Sequence, residues 1–119
     1  MLEIWHNRDC PTSVRILENL GKKQLPHQGR EYMVDSPDSA DIDILLDKLG
    51  AQPWAVVRMH DPIAQQLGLE EWPHDRQRWI DALVDHPILL QRPIVIRDDG
   101  RAAIVRSVEA LDEFLAAEE

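Results

Sequence analysis

The chain has 119 residues, 44% of them hydrophobic and 29% charged, which suits one soluble domain around a single apolar core. Its formal net charge of −9 argues against a nonspecific nucleic-acid or polyanion binder, but leaves room for a small oxyanion held by local arginines. One cysteine excludes an internal disulfide framework and suits a reducing cytoplasm. No apolar run approaches the roughly 18–20 residues of a membrane helix, and the N-terminus reads as a strand rather than a secretory leader.

The first strand is predicted at residues 2–5, and a helix follows over about 11–20. Proline at position 11 suits the first helical position, where its missing N–H would be unpaired anyway. Ser13, Ile16, Leu17 and Leu20 fall on one face, and Gly21 is placed at the helix end. The basic loop "GKKQLPHQGR" leads to a second strand expected at 31–34. "SPDSADIDILLDKLG" opens with capping residues, then sets Ile42, Leu45, Leu46 and Leu49 at helical spacing, with Gly50 as the stop. Residues 53–69 read as short helical pieces broken by Pro62 and ended near Gly68. A helix over about 75–85 turns Trp79, Ile80, Leu83 and Val84 inward. "RPIVIRDDGRAAIV" reads as two strands around an Asp-Gly turn. The last helix, about 107–116, carries Val108, Leu111 and Leu115 inward, and the final "EE" reads as a frayed, solvated tail.

The order β-α-β, helical block, β-β-α predicts an α/β fold: a mixed sheet with one parallel pair, one antiparallel hairpin and helices on its faces. Pro93, at the entry to a core strand, belongs at a strand start, a bulge or a cis peptide bond. Trp54, Trp72 and Trp79 read as packing residues, and His60, His74 and His86 as caps or surface groups.

The lone thiol carries the chemical interest. Cys10 falls where a strand gives way to a helix, at or beside the N-cap, where unpaired N–H groups and aligned peptide dipoles favour an anion. A free thiol, with a pKa near 8.5, is only about 3% thiolate at pH 7. His6 is close enough in sequence to lend a second positive group, Asn7 to donate to the loop, and Thr12 and Ser13 to offer hydroxyls and N–H groups at the helix start. His6 and Cys10 lack two further ligands at a recognisable spacing, so no metal site is expected. Three arginines, Arg58, Arg92 and Arg106, lie at element boundaries in apolar surroundings. Guanidinium forks bind tetrahedral oxyanions bidentately, so arginines gathered beside a thiol suggest an oxyanion held for attack by sulfur.

These residues resemble the glutaredoxin-coupled arsenate reductase (ArsC) family. The likeness rests on "IWHNRDCPTS", "VVRMHDPIAQQLGL", "HPILLQRPIVI" and the arginine of "AIVRSVEAL", in family order along nearly the whole chain. The resemblance implies a single thioredoxin-like domain over 1–119, with a four-stranded mixed sheet and a helical insertion at about 38–88. It implies Cys10 as nucleophile, His6 as an aid to its ionisation, Arg58, Arg92 and Arg106 on the arsenic oxyanion, and Pro93 as the cis-proline facing the thiol. Asn7, Thr12 and Ser13 are expected to support the loop. Glutathione is implied as co-substrate and glutaredoxin as donor, with no bound cofactor, no nucleic acid, no membrane, and a cytoplasmic monomer as the form. Pro11 stands where better-studied members have glycine, and Val14 and Arg15 replace a polar pair.

Two other functions fit the same framework. A glutathione-dependent thiol oxidoreductase would use Cys10 and the helix terminus without the arginines. A Spx-like regulator would bind RNA polymerase, although Ser13 stands where many of them carry a second cysteine.

Overall fold

The computed structural model describes residues 1–117; Glu118 and Glu119, the expected solvated tail, lie outside the described residues. Two compact units emerge, one from residues 1–35 with the segment from Arg92 onward, the other from Ser36–Gln91.

The first unit holds a four-stranded sheet in the order β2-β1-β3-β4. β1 (Leu2–His6) runs parallel to β2 (His27–Glu31) and antiparallel to β3 (Ile94–Ile96), which pairs with β4 (Ala102–Ile104) across the Asp-Gly turn. The parallel pair needs a crossover, supplied by α1 (Pro11–Lys22). With α5 (Val108–Ala116), α1 forms the core of this unit: Ile16 and Leu20 meet Ile4, Val95, Val105 and Leu111, all at most 1% exposed. Ser107 caps α5 through the Ala110 N–H at 3.0 Å. The mixed sheet is therefore the one anticipated from the element order.

Two local expectations are corrected. The second strand lies at His27–Glu31, not 31–34. Its residues have little strand propensity, yet their backbone fills the open edge of β1 in register, from Leu2 opposite His27 to His6 opposite Glu31. The apolar run Tyr32-Met33-Val34 that suggested a strand instead folds into a turn, with the N–H groups of Val34 and Asp35 both donating to the Glu31 carbonyl. Nor does Gly21 end α1. The helix continues to Lys22 and closes with Gln24 at φ 56°, its N–H on the Gly21 carbonyl and that of Leu25 on the Leu20 carbonyl. That is a Schellman closure with glutamine in the place glycine usually takes, so composition alone pointed to the wrong residue.

The second unit is helical. α2 (Ser39–Leu49) starts with a reciprocal capping box between Asp38 and Asp41 and stops at Gly50 with φ 63°. α3 (Pro62–Leu67) is short and capped by Asp61. α4 (Arg76–Asp85) packs on α2, burying Trp79, Ile80 and Leu83, and Arg76 reaches Asp43 of α2 at 2.8 Å. Trp54 stacks on His74 with centroids 4.1 Å apart, and both meet Trp79 edge-on. Among the described residues no helix is long and apolar enough to cross a membrane.

Candidate active site

Register brings the thiol and two arginines to one edge of the first unit. β3 and β4 pair Ile94 with Ile104, so continuing the ladder by two residues sets Arg92 opposite Arg106. β1 and β3 pair Trp5 with Ile94, so Arg92 before β3 and Asn7 after β1, at the start of the thiol loop, lie at the same end of the sheet. The Arg92–Pro93 peptide bond is cis. The Pro93 carbonyl accepts the Val105 N–H at 3.0 Å, and Arg106 Nη1 donates to the Arg92 carbonyl.

Between β1 and α1, residues 7–10 form a tight loop. The Cys10 N–H donates to the Asn7 carbonyl at 2.9 Å, and the Asp9 N–H to Asn7 Oδ1 at 2.9 Å. The Asn7 N–H donates to the Ser13 hydroxyl oxygen at 3.3 Å, tying the loop entrance to the first turn of α1. Asn7 and Ser13 are both buried. Cys10 is the N-cap, with extended φ and ψ of −99° and 115°, and Pro11 takes the first helical position. Since proline has no N–H, Thr12 and Ser13 supply the first donors of the helix.

Cys10 is 7% exposed. Burial alone pushes its pKa up. The Ser13 N–H, the Arg92 guanidinium, the Thr12 N–H and the Ser13 hydroxyl outweigh that and hold the thiol at about 7 against an ordinary 9.0. No side-chain cap bond of full geometry forms. The donors instead converge on the sulfur closely enough to favour its anion, each adding a partial charge. The shift corresponds to roughly 2–3 kcal/mol in favour of the thiolate. At pH 7 about half the molecules then carry a nucleophile, where a free thiol would offer a few per cent. Arg92 itself is 8% exposed, a guanidinium kept at the sulfur rather than in solvent.

His6 has a different neighbourhood. Its Nδ1 lies 3.7 Å from Glu31 Oε2, and its ring passes over Gly29, where a β-carbon would come within 3.0 Å of Nε2. Burial lowers the His6 pKa, and Glu31 raises it only in part. The groups that lower the thiol pKa are those on α1 and Arg92, and His6 is not one of them. Glu31 and Gly29 are the site-edge residues that the sequence reading missed, because it placed the second strand four residues too late.

Arg58 belongs to the helical unit. There its Nη1 bonds Asp61 at 3.1 Å and the Ile88 carbonyl at 3.4 Å, and its Nη2 lies 3.4 Å from His60. Asp61 is buried, and also caps α3 through the Ile63 N–H at 2.9 Å.

The chain is similar to known proteins over nearly all its length. The ArsC family model matches residues 5–114. The "uncharacterized protein in glnII region" of Streptomyces viridochromogenes is 37% identical over 118 residues, covering 97% of this chain and 99% of the relative. An arsenate reductase of Neisseria meningitidis is 31% identical over 115 residues, covering 96% and 97%. Among solved structures, a putative arsenate reductase from Yersinia pestis superposes with a TM-score of 0.87 at 26% identity, over 95% of this chain and 99% of the other.

Proposed function

Since the chain belongs to the ArsC family, we propose that it reduces arsenate to arsenite through the single nucleophile Cys10, with glutathione and a glutaredoxin supplying the electrons. The observation that carries this reading is the buried Cys10 at the N-cap of α1, where the Ser13 and Thr12 N–H groups and the buried Arg92 favour its thiolate.

Arg92 and Arg106 neutralise the oxyanion as it meets the sulfur. The Cys10 thiolate attacks arsenic, an S–As bond forms, and one oxygen leaves as water after taking up protons. The glutathione thiol adds at arsenic in the same way, with loss of a second water. A glutaredoxin thiolate then attacks the glutathione sulfur. The electron pair of that S–As bond passes to arsenic, which falls from As(V) to As(III), and a glutaredoxin–glutathione disulfide forms. Hydrolysis of the remaining Cys10–As bond releases arsenite and restores the thiol. One protein cysteine suffices, because glutathione and glutaredoxin supply the other sulfurs. The route uses no resident cofactor, and its thiol chemistry belongs in a reducing compartment such as the cytoplasm.

The test is arsenate reduction by the purified protein with glutathione and glutaredoxin, beside Cys10→Ser. Turnover is expected from the wild type and lost in the variant, with the circular dichroism of the two unchanged. A Cys10→Ser protein that still reduces arsenate contradicts the mechanism. A wild type that reduces a glutathionylated peptide but not arsenate assigns the thiol to plain disulfide exchange instead.

A further inference from the structure

A loop that holds a reactive side chain must satisfy its own backbone, and the N–H groups of residues 7–10 allow a full accounting. Three of them stay within the loop and the helix it starts: Asn7 donates to Ser13 Oγ at 3.3 Å, Asp9 to Asn7 Oδ1 at 2.9 Å and Cys10 to the Asn7 carbonyl at 2.9 Å. The fourth crosses to another element. The Arg8 N–H donates to Glu31 Oε2 at 2.7 Å, the shortest of the four. A carboxylate acceptor makes this a charge-assisted bond, stronger than its three neutral companions.

Glu31 is well placed for that task. It is the last residue of β2 and the register partner of His6. Its Oε1 accepts the Met33 N–H at 3.3 Å, so one side chain braces both the thiol loop and the turn that follows β2. Its Oε2 also lies 3.7 Å from His6 Nδ1, a buried nitrogen with no hydrogen-bond partner among the described residues. Gly29, two residues earlier, leaves the room that the His6 ring occupies.

We propose that Glu31 is a positioning residue for the thiol: by holding the Arg8 N–H it fixes the loop that keeps Cys10 at the N-cap of α1, facing Thr12, Ser13 and Arg92. This deepens the reading of Cys10 as the working nucleophile and rests on it. Glu31 does not touch the sulfur; it acts through the backbone of residues 8–10. The charged groups concerned are His6, which faces Glu31 from β1, and Arg92, which faces the sulfur from the segment before β3. A carboxylate acting on the thiol by charge alone would disfavour the thiolate, so removing it would lower the thiol pKa. Loss of a brace works in the opposite direction, because a slack loop lets the sulfur leave its donors. The two roles therefore differ in sign.

The experiment measures the rate of Cys10 alkylation by iodoacetamide against pH, in wild type, Glu31→Ala and Glu31→Gln, with thermal unfolding of each. Alanine removes the acceptor. Its thiol pKa is expected to rise toward the free value, with a loss of roughly five- to fifteen-fold in rate at pH 7. Glutamine retains one amide oxygen for the Arg8 N–H, and its rate at pH 7 is expected to stay within about twofold of wild type. A Glu31→Ala protein that unfolds earlier but keeps the wild-type pH profile makes the residue merely structural and overturns the proposal. So does a lowered thiol pKa in either variant, or a glutamine variant that shifts as far as alanine. Should Glu31→Ala not fold, amide exchange in the wild type still decides: a protected Arg8 N–H supports the tie, and exchange at open-loop rates removes it. Alkylation needs no arsenate, so an enzyme inactive on arsenate leaves this readout intact.

Discussion

Replacing Arg92 by glutamine isolates the largest single charge acting on the thiol. Arg92 is buried, and its guanidinium, after the Ser13 N–H, is among the groups that hold the Cys10 pKa down. A hydrogen bond to a charged partner contributes about 1.5–3 kcal/mol, and glutamine of similar length replaces it with a neutral donor at best. If the loss falls wholly on the thiolate, the pKa rises by about 1–2 from its present value of about 7. The thiolate fraction at pH 7 then drops from about half to between roughly 10% and 1%, and alkylation at that pH slows about five- to fifty-fold. Well above pH 9 the thiol is ionised in both proteins and the rates converge. The assay is iodoacetamide incorporation at Cys10, followed by mass spectrometry across the pH range. A variant whose midpoint stays within a few tenths of the wild-type value would refute the assignment of Arg92 to the sulfur. The pull would then come from the α1 N-terminus alone.

Three further outcomes follow from the same geometry. Because the folded-state pKa of Cys10 is depressed, its thiolate stabilises the fold fully above the unfolded value near 9, and the gain is lost as pH falls through about 7. Urea unfolding of wild type against Cys10→Ala is therefore expected to show a stability difference growing by roughly 2–3 kcal/mol between pH 6 and pH 10. Gly29→Ala puts a β-carbon 3.0 Å from His6 Nε2 and 3.3 Å from its Cδ2; the ring must give way, at about 1–3 kcal/mol in chemical denaturation. Arg58→Ala leaves the buried Asp61 carboxylate without its cation. Since the Arg58 side chain is itself 21% exposed, the cost is expected below the roughly 3–5 kcal/mol of a fully buried pair, at about 1–3 kcal/mol by thermal unfolding.

Much of the site was legible in the sequence, and the reasons are local. Pro11 after Cys10 fixes a helix start, which fixes the thiol at the N-cap. The Asp-Gly turn signals the hairpin, and a hairpin brings the entry of one strand and the exit of the next, with Arg92 and Arg106, to the same edge of the sheet. What could not be read depends on a partner strand. "HQGRE" carries no alternation and little propensity, and is a strand only because β1 offers it an open edge. Its neighbour "YMV" carries the propensity and forms a turn. With the register displaced, Glu31 had no visible link to His6 or to the thiol loop, and Gly29 read as an ordinary loop glycine. Arg58 illustrates the converse. Its partner, Asp61, was in plain view three residues away, an ion pair that sequence spacing permits but does not demand.

The most direct measurement is the titration of the Cys10 thiol in the wild-type protein, followed by thiolate absorbance with Cys10→Ser as the blank and repeated with arsenate. A midpoint near 7, with alkylation suppressed when arsenate is present, is the result expected of a sulfur held by α1 and Arg92. A midpoint at the ordinary thiol value, indifferent to arsenate, would contradict the account at its centre.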